Sequence, residues 1–190
     1  MRALLLAFAV ITLFVSVVSA QEHGQAATRP ERPAPTKWFT YSSPEGRYSI
    51  SVTEQPKLSS QPITAASGDS LVQYMAGVSA EPAYLMVGYF DYPAGITFSL
   101  DAARDGMVNT LHGNLVDEDS ISLGGSPGRA IKIVAKTADG LDFIDRARFY
   151  DINRRIYVVQ CLVPVSNEGP GAIQICNQFF DSFRVKNTTN

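Results

Sequence analysis

Four runs of strand length follow one another with almost nothing between them: residues 115–123, 129–136, 141–150 and 155–163. Each alternates polar and apolar residues or is apolar nearly throughout, which is the pattern of a sheet with at least one buried face. The separators are Gly124-Gly125-Ser126-Pro127-Gly128, Thr137-Ala138-Asp139-Gly140 and the tight reversal Asn153-Arg154. Such short, glycine-rich or two-residue connections join antiparallel neighbours. The second half of the chain is therefore expected to fold as an antiparallel sheet.

The first half supplies more strands and one helix. A short strand at 38–41 leads through the turn Ser43-Pro44-Glu45-Gly46 into 47–52, where Tyr48, Ile50 and Val52 share one face. A second hairpin pairs 61–66 with 71–78 around Ser67-Gly68-Asp69. The run YLMVGYFDY at 84–92 reads as a strand covered on both faces. Ser99 is placed to cap a helix, with Asp101 in its first turn and Leu100, Ala103, Met107 and Leu111 along one stripe. Gly113 is expected at its left-handed C-terminal position. A closing helix over 171–183 turns Ala172, Cys176, Phe179, Phe180 and Phe183 inward. Hairpin-linked strands plus two amphipathic helices define an α+β fold: an antiparallel central β-sheet with helices packed on its faces, an α/β/α sandwich.

The ends are of a different character. Residues 1–20 carry one arginine, an apolar run broken only by Thr12 and Ser16, and the small-residue exit Val18-Ser19-Ala20, the three parts of a secretory signal peptide. The apolar run is shorter than the roughly 20 residues that span a bilayer, so no stable membrane span is expected after cleavage. An uncleaved anchor is the alternative. Residues 21–36 hold three prolines and no aromatic or large aliphatic residue, the composition of a flexible linker, and His23 within it reads as solvated. Residues 37–190 remain as one globular domain. The location expected is periplasmic or secreted. Loss of Arg2 takes the net charge from −2 to −3, and no basic stripe interleaves with aromatics, which argues against nucleic acid as a partner. Asn187 begins an Asn-Thr-Thr glycosylation pattern whose use depends on the host.

Chemistry is sparse. The chain has no GxSxG elbow, HExxH, phosphate-binding loop, EF-hand loop or CxxC. The glycine-rich 124–128 stretch runs into an alternating strand, so it lacks the helix whose amides would hold a phosphate. His112, Asp117, Glu118 and Asp119 are the nearest approach to a metal or acid/base group. On a strand, however, Asp117 and Asp119 point away from Glu118. Asp142, Asp145, Arg146, Arg148, Asp151, Arg154 and Arg155 read as a solvated, cross-strand paired face. An anion or acidic-partner contact through Arg146, Arg148 and Arg155 is the functional alternative. No cofactor is expected.

The stretches WFTYSSPEGRYSISV, RARFYDINRRIYVVQCLVP and FFDSFRV, with a long apolar strand before the first helix, carry a resemblance. In these stretches and in the order of its elements, the chain resembles the Mog1/PsbP-like fold over residues 38–185. Within that fold it is similar to small exported bacterial proteins related to the PsbP C-terminal domain. The resemblance implies a central antiparallel sheet with helices on its faces and a binding or accessory role. No functional residue of either namesake has a matching motif here.

Cys161 and Cys176 are expected to be buried neighbours. Layer spacing places their Cα atoms about 7–8 Å apart, just beyond the roughly 4.4–6.8 Å of a bridge, which leaves a disulfide open. Three functions remain. The first is a non-catalytic exported module binding a protein partner or small ligand through a sheet edge or inter-helix groove. The second is an envelope hydrolase using Asp117 or Asp119 with Asp91, and the third a structural or stress-related periplasmic protein.

Overall fold

The structure is a computed structural model that describes residues 3–4, 37–64 and 70–186. Most of the expected signal segment, the linker with His23, the Ser67-Gly68-Asp69 turn and Asn187 lie outside the described residues. In chain order the strands are β1 (Ala3–Leu4), β2 (Phe39–Ser43), β3 (Tyr48–Val52), β4 (Lys57–Thr64), β5 (Ser70–Ala80), β6 (Ala83–Asp91) and β7 (Thr97–Phe98). Helix α1 (Leu100–Leu111) follows, then β8 (Asn114–Leu123), β9 (Ser126–Lys136), β10 (Asp142–Ile152) and β11 (Arg155–Pro164). A single 3-10 turn, α2 (Pro170–Ser182) and β12 (Arg184–Val185) end the described chain. β1 and β7 pair as a short parallel ribbon.

The main sheet has seven antiparallel strands in the order β4-β5-β6-β11-β10-β9-β8. It consists of two meanders of sequential hairpins, β4-β5-β6 and β8 to β11, joined where β6 lies against β11. The strands expected at 38–52 do not enter this sheet. They form a separate three-stranded sheet, β12-β3-β2, because Tyr48, Ile50 and Val52 all point into the aromatic core over the main sheet, each 1% exposed.

Alternation sorts the core into two clusters, one on each face of the main sheet. On the front face, Leu85, Val87, Val159 and Cys161 share a cluster with Cys176, Phe179 and Phe183 from the closing helix and its end. On the back face, Ala103 and Met107 of α1 share a cluster with Ile131, Ile133 and Ala147. β6 lies inside the sheet between β5 and β11, which explains why its sequence is apolar on both faces.

Ser99 caps α1 by accepting from the Ala102 N–H at 3.2 Å. At the other end the structure corrects the expectation. The left-handed residue is His112, with φ 48°, and the Gly113 N–H reaches back to the Val108 carbonyl. Gly113 answers a different need. A Cβ there would stand 2.5 Å from Ile133 Cγ2 and 3.0 Å from the Val134 carbonyl oxygen, so only glycine lets the chain pass this close to β9. The glycine-rich turn is also shorter than expected. Gly124 and Gly125 alone make the reversal with positive φ, and Ser126 already begins β9.

Cys161 and Cys176 are joined by a disulfide with Cα atoms 5.6 Å apart. The layer-spacing estimate of about 7–8 Å is too long because the pleat lifts a front-facing Cα out of the mean sheet plane toward the helix. Both residues are fully buried.

Candidate docking surface

The front face is covered by α2 and the small sheet, but not at its β4–β5 corner. Register places Leu58 beside Ala76, Ser60 beside Tyr74 and Pro62 beside Val72, all on the front face. Leu58 is 67% exposed, Val72 47% and Tyr74 46%, so three large apolar side chains stand in solvent on adjacent strands. Clustered apolar exposure of this kind marks an interaction surface more than scattered residues do.

The strip continues into a fixed polar and aromatic cluster. The Tyr74 ring stacks on Tyr89 of β6 at 5.2 Å between centroids, and the Arg155 guanidinium sits 4.7 Å from the Tyr89 centroid. Arg155 forks Asp91, with Nε 2.7 Å from Oδ1 and Nη2 2.6 Å from Oδ2. Its Nη1 donates to the Glu45 carbonyl at 2.6 Å, and the Tyr157 hydroxyl donates to the Gly46 carbonyl at 2.8 Å. Two donors from the main sheet thus hold the 44–47 turn in place. Gly46 is required there, since a Cβ would fall 2.5 Å from the Tyr48 ring. Hydrogen bonding to Arg155, reinforced by the nearby Arg47 and Arg154 charges, holds the Asp91 carboxyl below its ordinary 3.8 against the opposing effect of burial. Burial pushes the Tyr48 hydroxyl well above its usual range.

The sites expected from sequence fall elsewhere and do not converge. His112 caps α1, while Asp117, Glu118 and Asp119 lie within β8. Glu118 faces back, where Arg104 Nη1 and Arg129 Nη1 each stand 2.8 Å from its Oε1. Asp117 and Asp119 face front, opposite Lys132 and Ala130. Among the described residues no group of His, Cys, Asp or Glu is arranged to hold a metal. Asp91 on β6 is four strands from β8, roughly 19 Å at about 4.8 Å per strand. Two carboxylates working on one glycosidic bond stand at most about 9.5 Å apart, so Asp91 and Asp117 or Asp119 form no such pair.

Arg146, Arg148 and Arg155 share the front face, yet each has its own carboxylate. Arg146 pairs with Glu168, Arg148 reaches Asp181 at 3.3 Å and lies 4.6 Å from the Phe180 centroid, and Arg155 holds Asp91. Tyr150, stacked on Phe183, stands between Arg148 and Arg155. They make three separate ion pairs, not one cradle.

The solvated charged face also needs correction. Arg155 is 6% exposed and Asp145 fully buried. Asp145 shares strand parity with Ala147 and Phe149, which puts it on the back face between Ile133 and Leu162. Its Oδ2 accepts from Gln160 Nε2 at 2.8 Å, while its Oδ1 is buried with no hydrogen-bond partner. Burial raises its pKa to about 7, with the Gln160 hydrogen bond pulling the other way. The i, i+2, i+4 alternation of Asp145, Ala147 and Phe149 was the available signal.

Comparison with solved structures shows a Mog1/PsbP-like fold. The solution structure of cyanobacterial PsbP (CyanoP) from Synechocystis sp. PCC 6803 matches at a TM-score of 0.54 and 12% identity, over 83% of this chain and 98% of that one. A mutant of protein Mog1 matches at 0.47 and 11%, over 80% and 98%. Protein PA94 of unknown function from Pseudomonas aeruginosa matches at 0.36 and 10%, over 74% and 94%. At these identities the likeness is one of fold. No family model and no curated protein matches the sequence. No helix among the described residues is long and apolar enough to cross a membrane.

Proposed function

We propose that this chain is an exported, non-catalytic binding module of the cell envelope, and that its partner docks at the β4–β5 corner of the front face. The observation that carries the reading is the exposure of Leu58, Val72 and Tyr74 beside the fixed Tyr89–Arg155–Asp91 cluster. Aromatic and arginine side chains that are already immobilised lose little entropy on binding and dominate interface energetics. Export is supported by the pattern of residues 1–20, and the Cys161–Cys176 disulfide suits an oxidising compartment. The separation of Asp91 from β8 weighs against the hydrolase reading.

Photo-crosslinking tests the docking surface. A photoreactive residue at Val72 or Tyr74, introduced into the chain in cells that naturally produce it, is expected to give a discrete heterologous adduct. The same residue at Ile173 or Val116, which are exposed apolar positions outside the strip, should give none. Equal labelling at all four positions, or adducts only with the chain itself, overturns the partner reading. Amino-terminal sequencing of the exported form should begin at Gln21.

A further inference from the structure

We infer that the partner of the β4–β5 corner is a protein presenting an acidic, apolar segment, whose apolar side chains lie along Leu58, Tyr74 and Val72 and whose carboxylates reach Arg47 and Arg154. The inference rests on the docking reading and adds the charge of the occupant and the direction in which it lies.

Register carries the exposed strip into an arginine-rich end. Tyr74 pairs with Tyr89, so two residues further along Val72 stands beside Asp91, which in turn pairs with Arg155. Past that row the chain reverses at Asn153-Arg154, between β10 and β11. The 44–47 turn is tied to the same place by the Arg155 bond to the Glu45 carbonyl. Arg47 and Arg154 therefore flank the Arg155–Asp91 pair, and both charges act on the Asp91 carboxyl. Three guanidiniums here meet two acids, Asp91 and Glu45, in a chain whose net charge is −2. Lys186, whose backbone N–H donates to the Arg47 carbonyl at 2.8 Å, brings a further cation to the same end.

The Asp91 carboxylate is already engaged. Both its oxygens accept from Arg155, and with two more guanidiniums beside it the group offers little to a cationic partner. Arg47 and Arg154 are the opposite case: neither has an ion pair among the described residues. Their turns do not call for arginine. Arg47 has φ 55° and Arg154 φ 62°, a left-handed conformation that glycine or asparagine enters at lower cost. What the two side chains add there is a pair of guanidinium forks, the group best shaped to hold carboxylates.

The strip also sets the spacing. From Leu58 to Pro62, which lies beside Val72, β4 advances four residues, about 14 Å at ~3.4 Å per residue. An extended segment of about five residues thus covers the apolar side chains and arrives at the arginines, where its acids belong. Lys57 stands at the other end of the strip. Apolar contact supplies the area, while the arginine end fixes which way the segment runs and steers its approach.

Two measurements test this. The first uses a fluorescent peptide of three apolar residues followed by two aspartates, with a twin carrying lysines in place of the aspartates. By anisotropy the wild-type chain is expected to bind the acidic peptide at least tenfold more tightly than the lysine twin. Arg47→Asn with Arg154→Asn should abolish that preference at an unchanged melting temperature, since asparagine keeps the turn conformation. The second uses the photoreactive residue at Val72 in producing cells. Its adduct should fall at least tenfold in the same double variant and persist in Lys57→Asn. Equal binding of the two peptides, no binding of the acidic one up to about 1 mM, or a preference that survives loss of both arginines overturns the inference. An adduct that survives the double variant also overturns it, yet leaves the docking surface standing; absence of the adduct from the wild type removes both. Binding to vesicles of anionic phospholipid in place of the peptide would make the occupant a membrane and overturn the protein assignment.

Discussion

Arg155 and Asp91 meet as fork to fork, and the two partners have unequal shares of solvent: the arginine side chain is 7% exposed and the aspartate 58%. The guanidinium is thus a buried group whose charge is answered at the surface. It also carries the 44–47 turn through the Glu45 carbonyl and stands against Tyr89. Removing its head should loosen the turn as well as the ion pair.

Asp91→Asn is expected to cost about 1 kcal/mol at neutral pH, since water can partly replace the exposed carboxylate. Because folding lowers the Asp91 pKa from 3.8, its stabilisation is fully present above that value and is lost as pH falls through the lower folded value. Melting curves of wild type and Asp91→Asn should therefore converge below pH 3.8. A constant gap down to pH 2 would show that the pair acts through shape alone.

Asp145 has the opposite sign. Its folded pKa of about 7 lies above the ordinary 3.8, so the folded state holds the proton more tightly and stability falls as pH rises through that window. The slope from this one group approaches about 1.4 kcal/mol per pH unit at most. Asp145→Asn should flatten the profile between pH 4 and 7 while keeping an acceptor for Gln160. A parallel profile in the variant would place the titration elsewhere.

The end of α1 separates two roles that glycine often combines. His112→Gly relieves a left-handed non-glycine residue and should be neutral or stabilising by up to about 1 kcal/mol. Gly113→Ala drives a methyl into Ile133 and should destabilise by about 1–3 kcal/mol. Denaturant midpoints of the two variants check the assignment, and the reverse ranking would return the left-handed position to Gly113.

The disulfide closes a sequence separation of 15 residues. In the chain-entropy model that is worth about 3 kcal/mol, or roughly 6–12 °C in melting temperature for a domain of this size. Cys161→Ala with Cys176→Ala should show a drop of that order, and intact-mass measurement of the unreduced wild type after alkylation should find no added label.

The strands and both helices were legible because hydrophobic period and turn chemistry act locally. Tyr48, Ile50 and Val52 declared a buried face, and Ser99 declared a cap. That this hairpin leaves the main sheet is decided by where the Phe183 aromatic ring and its neighbours need covering, a long-range packing question that no local pattern contains. The candidate carboxylates lie apart for a related reason. Asp91 and Asp117 look equally available in the sequence, and only strand order sets them four strands apart. The strip at Leu58, Val72 and Tyr74 was hidden because apolar residues on alternating strands read as core. Their exposure follows from the small sheet stopping short of the β4–β5 corner.

The strand order has a kinetic consequence. Within the main sheet every pairing except β6 with β11 joins strands that are consecutive along the chain, so each meander can assemble by short loop closures. The single seam, where Val87 faces Val159 and Leu85 faces Cys161, must bring together segments about seventy residues apart, and distant closure is what slows folding. Substitutions at the seam, such as Val87→Ala, should therefore lower the refolding rate, whereas truncations on the outer strands β4 and β8 should act mainly by hastening unfolding. Stopped-flow folding and unfolding limbs measured on Val87→Ala and Ile63→Ala would show whether the two halves of this sheet meet early or late.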